Sequence, residues 1–205
     1  MSKVWAGMLV LMCLAVAAPA AFAEDKSPTV SAQDHVLGQV TAPVSIIEYA
    51  SLTCPHCAAF EKDNYPQIKK DWVDTGKAKL IYRDFPLDRY ALMASSIASC
   101  APDNRYFAFI ESFFDSQETW VTATDPAAAL KGIARLGGMD AAAVDKCLAD
   151  TKLQERIIAI EATAKNDYGV NSTPTFFIVG AHGTAKLVGD QSYADFNKAL
   201  AAASP

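Results

Sequence analysis

The residues best suited to chemistry in this sequence are Cys54 and Cys57, the thiols of a Cys-Pro-His-Cys motif. The motif follows an apolar run at 44–49 and precedes a helix-like segment, which predicts a strand that leads into a dithiol at a helix N-terminus. The unpaired N–H groups and aligned peptide dipoles of such a terminus stabilise a thiolate on the first cysteine. Because a stabilised thiolate makes the disulfide easier to reduce, the motif predicts a pair that passes its bond to another protein.

Each residue of the motif has a predicted part in this chemistry. Cys54 is the predicted nucleophile because it lies nearer the helix end and the surface, and Cys57, one turn further in, is the more buried resolving thiol. Pro55 fits the first helical turn, where its missing N–H has no intrahelical partner. A protonated His56 would place positive charge beside the Cys54 sulfur and lower its pKa further, with a solvated loop histidine as the alternative. These residues supply at most three soft ligands, so we predict no metal site.

Two positions outside the motif are also candidate site residues. Glu48 interrupts the apolar strand six residues before Cys54, and it points either into the core, where a carboxylate is costly to bury, or outward from an alternating strand. Pro174 stands at a turn before an apolar strand, a usual setting for a cis peptide bond, with an ordinary trans proline as the alternative. A cis bond would expose the backbone N–H and C=O of Thr173 toward the dithiol, where an extended client strand could pair with them.

A second pair of cysteines, Cys100 and Cys147, falls on the apolar faces of two predicted helices. They are either buried free thiols that act as small apolar side chains or a second disulfide. An oxidising compartment favours the disulfide. Closing a loop of about 47 residues would then stabilise the fold by at most roughly 4 kcal/mol through the entropy of the unfolded chain.

The first part of the chain predicts the elements that position the dithiol. A buried strand at 43–49 is followed by a helix that opens at Cys54 or Pro55 and that Pro66 should kink. A second strand is predicted at 77–85. Strand, helix and strand at this spacing indicate a parallel β–α–β unit. Upstream of it, His35 is interpreted as a solvated loop residue.

The rest of the chain changes character twice. Helical periodicity runs through 88–168. Strands return at 175–179 and 185–188, and a capping box at Ser192 begins a last helix. The sequence therefore predicts an α/β fold that is split by a block of helices.

The N-terminus predicts export. A positive Lys3, an apolar run at 4–18 and an Ala-Phe-Ala site predict a signal peptide at 1–23 that is cleaved after Ala23. An uncleaved anchor is the alternative, but the run is short for a membrane span of about 20 residues. Cleavage removes one lysine and no acidic residue, so the formal charge changes from −5 to −6. An acidic domain without a basic run is a poor partner for nucleic acid.

Three motifs together resemble the DsbA family of periplasmic thiol–disulfide oxidoreductases. The resemblance covers nearly all of the chain after the signal peptide. Its carriers are Cys-Pro-His-Cys at 54–57, Tyr-Arg-Asp-Phe-Pro-Leu at 82–87, and Gly-Val-Asn-Ser-Thr-Pro-Thr-Phe-Phe-Ile at 169–178. The resemblance implies a thioredoxin-like fold with an inserted all-helical domain. It places the thioredoxin-like domain at 24–87 and 169–205 and the insertion at 88–168.

The family also implies roles for single residues and for partners. Its cis-proline loop, which faces the dithiol, maps onto Thr173 and Pro174. Glu48 resembles the buried acid that serves as proton acceptor for the inner cysteine, here Cys57. Reduced, unfolded secreted proteins are the implied clients, and a DsbB-like membrane quinone reductase is the implied reoxidant. We expect no cofactor, because the dithiol is itself the redox centre, and we expect the chain to act as a monomer in the periplasm.

These inferences predict an enzyme that acts mainly as an oxidant, a protein thiol:disulfide oxidoreductase. A disulfide isomerase or reductase of the same fold is the first alternative, and the threonine before Pro174 is compatible with it. A peptide-binding or chaperone module with a merely structural disulfide is the second alternative. The reduction potential of the Cys54–Cys57 pair separates an oxidant from a structural module.

Overall fold

The computed structural model describes residues 26–102 and 104–205, which form one five-stranded sheet flanked by helices. The predicted signal peptide at 1–23 lies outside the described residues. The strands are β1 (Val36–Leu37), β2 (Val44–Ala50), β3 (Ala78–Asp84), β4 (Thr175–Gly180) and β5 (Gly183–Val188). The helices are α1 (Pro55–Asp63), α2 (Tyr65–Ile68), α3 (Arg89–Ser99), α4 (Tyr106–Asp115), α5 (Gln117–Val121), α6 (Pro126–Leu136), α7 (Ala141–Leu148), α8 (Thr151–Tyr168) and α9 (Tyr193–Ala203).

The sheet has the strand order β1-β3-β2-β4-β5. Strands β2 and β3 pair in parallel and are connected through α1, which confirms the predicted β–α–β unit. The other three strand pairs are antiparallel. The short β1 was not predicted, because two residues carry no periodicity. The predicted α/β class is confirmed.

Strand β2 lies at the centre of the sheet, and all seven of its residues are buried. Successive side chains of a strand point to opposite faces. Val44 and Ile46 pack in the cluster formed with α1 and α9, whereas Ile47 and Tyr49 pack in the cluster that includes Ala164 of α8. Both faces of β2 are therefore covered, so a side chain on either face lies in the core.

Six helices, α3 to α8, lie between β3 and β4 along the chain, and we call them the helical block. A large apolar cluster packs α3 to α7 of this block against residues of β2, β3 and α1. Phe113 and Trp120 are among its fully buried side chains. Cys54 and Cys57 belong to this same cluster, so the dithiol lies where the sheet and the helical block meet. Four of the helices begin at an aspartate whose carboxylate accepts a backbone N–H: Asp88, Asp125, Asp140 and Asp150.

Two local expectations were wrong. The kink expected at Pro66 is instead an interruption of the helix at Asn64, and Pro66 occupies the first turn of α2, where proline is tolerated. A π-helical turn, Lys69–Val73, follows α2. His35 is not a freely solvated residue: its ring stacks on Tyr106 with centroids 3.7 Å apart, and burial lowers its pKa.

The end of α8 is set by Gly169, which has a φ of 59°. Glycine adopts this left-handed conformation without the steric cost that a Cβ would add. The chain then turns into the loop before β4. No helix in the described part of the chain is long and apolar enough to cross a bilayer.

Candidate active site

The dithiol begins helix α1 directly after the loop that leaves β2. Cys54 is the residue before the first helical position and has an extended backbone, with φ −81° and ψ 119°. Its N–H donates to the C=O of Ser51 at 3.0 Å. The Ser51 hydroxyl in turn accepts the N–H groups of Thr53 and Leu87. This loop therefore fixes the sulfur of Cys54 at the N-terminus of α1.

The surroundings of Cys54 stabilise its thiolate. A hydrogen bond from the Cys57 thiol is the main cause that lowers the pKa of Cys54 to about 5. Hydrogen bonds from the Thr173 side chain and from the N–H groups of Cys57 and His56 lower the pKa further, while burial opposes them. Both cysteines are free thiols. Cys54 was expected near the surface, but it is only 4% exposed because the loop at Thr173 covers it.

Cys57 has the opposite electrostatic environment. It is fully buried, and burial raises its pKa well above the ordinary range, with further contributions from the charges of Cys54 and Glu48. The two thiols are only three positions apart, yet their pKa values move in opposite directions. A thiolate that forms on Cys57 is therefore strongly basic, whereas a thiolate on Cys54 is a stable leaving group.

Glu48 is buried completely, and neither of its carboxylate oxygens has a hydrogen-bond partner among the described residues. Burial, together with the charge of a Cys54 thiolate, raises its pKa to about 8. It lies on the same face of β2 as Ile46, the face that α1 covers. At neutral pH this side chain is therefore mostly a neutral acid that can exchange a proton with a nearby group.

The other two residues of the motif lie at the surface. Pro55 occupies the first position of α1, as expected, and its side chain is exposed. His56 is exposed as well. The backbone N–H of His56 helps to stabilise the Cys54 thiolate. The role predicted for the imidazole itself stays a prediction.

The Thr173–Pro174 peptide bond is cis, and this loop faces the dithiol. The Cys54 thiol donates to the C=O of Thr173 at 3.4 Å. The hydroxyl of Thr173 is buried without a hydrogen-bond partner among the described residues. When Cys54 is a thiolate, this hydroxyl can donate to the sulfur, and it is one of the groups that lower the pKa of Cys54. The loop is anchored on its other side by the N–H of Gly189, which donates to the C=O of Pro174 at 2.8 Å.

One further residue of the site was not predicted from the sequence. Gln117 is the first residue of α5, is 8% exposed, and reaches back to the loop of the dithiol. Its amide donates to the C=O of Leu52 at 2.9 Å and to the C=O of Cys54 at 3.0 Å. The same Cys54 carbonyl accepts the N–H of Ala58, which is the first bond of helix α1. A helix of the helical block thus holds the residue that carries the reactive sulfur.

Cys100 and Cys147 lie apart from this site and form a disulfide, with their Cα atoms 6.2 Å apart. Cys100 ends α3, and Cys147 lies in the last turn of α7. Around the bond pack Leu92, Leu153 and Ile157. The structure therefore brings Glu48, the motif and the cis-proline loop together and keeps this second pair separate.

The chain is similar in sequence to known proteins. The family model described as Thioredoxin matches residues 30–202. A Rickettsia bellii protein, provisionally named a protein-disulfide oxidoreductase, is 32% identical over 148 residues, which are 72% of this chain and 57% of that protein. The related Rickettsia felis protein matches over 53% of its length. The chain thus spans little more than half the length of these curated relatives.

Solved structures match more completely. Wolbachia pipientis alpha-DsbA1 is 32% identical, with a TM-score of 0.78, and the match covers 85% of this chain and 92% of that chain. A protein-disulfide isomerase from Novosphingobium aromaticivorans is 28% identical, with a TM-score of 0.69, and the match covers 82% of this chain and 96% of the other. These chains share the sheet with its block of helices.

Proposed function

The chain belongs to the DsbA family of thioredoxin-fold proteins, and on that premise we propose that it is a periplasmic thiol:disulfide oxidoreductase that donates its Cys54–Cys57 disulfide to folding secreted proteins. One observation carries the proposal: the pKa of Cys54 is lowered to about 5 while that of Cys57 is raised. A structural disulfide needs no such difference. A disulfide donor does, because the reduced form must be favoured once the bond has been passed on.

The first step is attack on Cys54. A client thiolate attacks its sulfur, a bond forms between the client and Cys54, and the electron pair of the broken S–S bond goes to Cys57. The Cys57 thiolate is basic and takes up a proton. Glu48, buried with a pKa near 8, is the acid that can supply this proton at neutral pH.

The second step releases the product. A second thiolate of the client attacks the client sulfur of the mixed disulfide and expels Cys54 as a thiolate. The client has then lost two electrons and gained a disulfide, and the protein holds the dithiol. The leaving group is good because a hydrogen bond from Cys57 and the helix N–H groups stabilise its charge.

The Thr173–Pro174 loop is the proposed client platform. Its backbone lies against the sulfur of Cys54, and the C=O of Thr173 accepts a hydrogen bond from the Cys54 thiol in the absence of a client. An extended client segment can replace that contact with backbone hydrogen bonds of its own. Such pairing recognises the backbone of the client more than its side chains, which suits an enzyme with many clients.

The remaining parts of the proposal follow from family and sequence. We propose a signal peptide at 1–23, a thioredoxin-like domain at 24–87 and 169–205, and a helical insertion at 88–168. A DsbB-like membrane quinone reductase would take the two electrons from the dithiol and restore the disulfide. The chain would act as a monomer and without a cofactor.

A disulfide isomerase is the second candidate, favoured by the name of the Novosphingobium aromaticivorans structure. The two activities differ in the starting state of the protein, since an isomerase attacks with a reduced Cys54 and an oxidase begins with the disulfide. Rates with a fully reduced client and with a scrambled client, measured side by side, separate them. We expect the reduced client to be processed faster.

The central test is a trapping experiment with Cys57→Ser. The variant is first treated with glutathione disulfide, so that Cys54 carries glutathione in a mixed disulfide. The thiolate of a reduced client with a single cysteine then displaces the glutathione from Cys54. Because no resolving thiol is present, the client–Cys54 disulfide should accumulate, and mass mapping should find the adduct at Cys54. Cys54→Ser is the matched control and should accumulate far less, because the thiol of Cys57 is buried and its pKa is raised. Adducts at Cys57, or at neither cysteine, would contradict the proposed mechanism.

A further inference from the structure

A groove runs along helix α1 away from the dithiol, between that helix and helices α4 and α5. Its outer part has a volume of about 780 Å³ and begins at Thr53 and Pro55, next to Cys54. Its inner part, about 200 Å³, reaches Tyr65. Phe114 and Asp115 line both parts, so the two lie next to each other. We call them together the acidic groove.

The groove carries more acidic than basic side chains. Asp63 and Glu118 line the outer part, Asp115 lines both parts, and Glu61 and Glu111 line the inner part. Lys62 and Lys69 are the bases along it, and Lys69 is engaged by Asp74 outside the groove at 2.7 Å. Burial and the charges of Glu48, Glu111 and Asp115 raise the pKa of Glu61 well above its ordinary range. Among the residues that line the inner part, three carboxyl groups accompany one base, Lys69, so acidic side chains outnumber basic ones there.

An independent observation at the inner end points to a ligand. Tyr65 is 6% exposed, and its hydroxyl is buried with no hydrogen-bond partner among the described residues. Burial and the charge of Glu61 raise its pKa, so the hydroxyl stays neutral. Buried polar groups in proteins are generally paired, so a hydroxyl left without a partner beside a cavity is a place where a polar group of a ligand can bind. An ammonium or guanidinium group carries only donors and fits both this oxygen and the carboxylates.

The geometry sets how far such a group stands from the reacting sulfur. Eleven positions separate Cys54 from Tyr65 along a path that is mostly helix, which at ~1.5 Å per residue is roughly 16 Å. An extended chain advances about 3.3 Å per residue, so roughly five client residues bridge this distance.

We propose that the acidic groove receives the client segment beside its reactive cysteine, and that the inner part binds a lysine or arginine about five residues from that cysteine. This inference rests on the proposed function and adds a preferred class of client to it. The cis-proline loop pairs with the client backbone on one side of Cys54, and the acidic groove binds a client side chain on the other side.

The test uses reduced peptides with one cysteine and the oxidised full-length mature protein. One peptide is neutral, two carry a lysine five residues before or after the cysteine, and two carry glutamate at those positions. The measured quantity is the rate of mixed-disulfide formation at low and at high salt. We expect one of the lysine peptides to react about fivefold faster than the neutral peptide at low salt, with the advantage lost at high salt. The matching glutamate peptide should react more slowly.

Variants locate the effect. Glu111→Gln combined with Asp115→Asn should bring the ratio of lysine to neutral rates close to one, and Tyr65→Phe should lower the ratio in part. Glu155→Gln combined with Asp167→Asn, two exposed acids of α8, makes the same change in net charge and should keep the ratio.

Equal rates for all five peptides, or a lysine preference that survives the groove variants, would overturn the inference while the neutral peptide still reports the proposed activity. If no peptide reacts, the proposed function fails and the inference fails with it.

Discussion

The two cysteine pairs of this molecule lie at opposite ends of helices. Cys54 begins α1, where free N–H groups and the positive end of the helix dipole favour a thiolate. Cys100 ends α3, and Cys147 lies in the last turn of α7, where the negative end of each dipole disfavours one. The first pair is a free dithiol, and the second is bonded. The place of a cysteine on its helix thus distinguishes a pair suited to exchange from a pair suited to persist.

Sequence separation divides the pairs in the same way. Cys54 and Cys57 close a loop too short to restrict the unfolded chain, so their bond adds little stability and can be given away. Cys100 and Cys147 are 47 positions apart and tie α3 to α7. Substitutions can therefore alter one pair while leaving the other intact.

The largest expected effect comes from removing the second pair. Cys100→Ala with Cys147→Ala should lower the free energy of unfolding of the oxidised protein by up to about 4 kcal/mol, since a constraint on a loop of 47 residues is lost. In the control, Cys54→Ala with Cys57→Ala, the free energy of unfolding should fall far less, because the loop between these cysteines is short. Urea unfolding of both variants measures this. If Cys100 and Cys147 of the natural protein can both be alkylated after denaturation without reductant, the contrast fails.

Glu48, the buried acid near the dithiol, should have the second-largest effect on stability. Because the folded pKa of Glu48 is raised to about 8, folding favours its protonated form, and the free energy of unfolding falls as pH rises from about 4.5 to about 8. Glu48→Gln removes this loss, so the variant should be more stable than the natural protein by roughly 3 kcal/mol at pH 7. The two proteins should be equally stable at pH 4. A difference that does not change with pH would mean that the carboxylate is not desolvated.

The thiolate of Cys54 should produce a smaller, redox-dependent effect. Its folded pKa of about 5 lies below the ordinary value of 9.0, so it stabilises the reduced protein fully above pH 9, and this contribution disappears as pH falls through 5. At pH 7 the free energy of unfolding of the reduced protein should therefore exceed that of the oxidised protein by roughly 2 kcal/mol. The reductant must be mild enough to leave the Cys100–Cys147 bond intact. Thermal unfolding of both forms between pH 5 and pH 8 should show the gap closing as the solution becomes more acidic.

Much of this arrangement could be predicted from sequence, because it depends on local signals. The motif at 54–57 and the cis-proline at Pro174 stand beside turns and apolar runs that define their elements. Glu48 was ambiguous for a physical reason. Alternation distinguishes inside from outside only when one face of a strand meets water, and both faces of β2 are covered.

What the sequence did not reveal depends on contacts between distant segments. The sulfur of Cys54 was expected near the surface, but the loop at Thr173, 119 positions away, covers it. Gln117 was missed because a single glutamine in a short helix carries no sign of its partner, which lies 63 positions upstream. Such contacts are set by tertiary packing, which has no local pattern.

Gln117 also supplies the smallest effect and the finest test of the contrast. Gln117→Met keeps the size of the side chain but removes both amide hydrogen bonds, and the C=O of Leu52 then loses the donor that Gln117 provides. We expect the free energy of unfolding to fall by about 1 to 2 kcal/mol. Gln154→Met is the matched control, because it removes one bond from an amide to the C=O of Leu148, far from the dithiol.

Stability alone would not distinguish a positioning role from a structural one, so the decisive measurement is the ultraviolet titration of the Cys54 thiolate. With the carbonyl of Cys54 held less firmly, the N–H groups of His56 and Cys57 point less accurately at the sulfur, and the pKa of Cys54 should rise. Gln154→Met should leave that titration unchanged. A Gln117→Met protein that is destabilised but titrates like the natural one would show that α5 only supports the loop. A raised pKa would show that the helical block, besides carrying its own stable disulfide, helps to keep the other pair reactive.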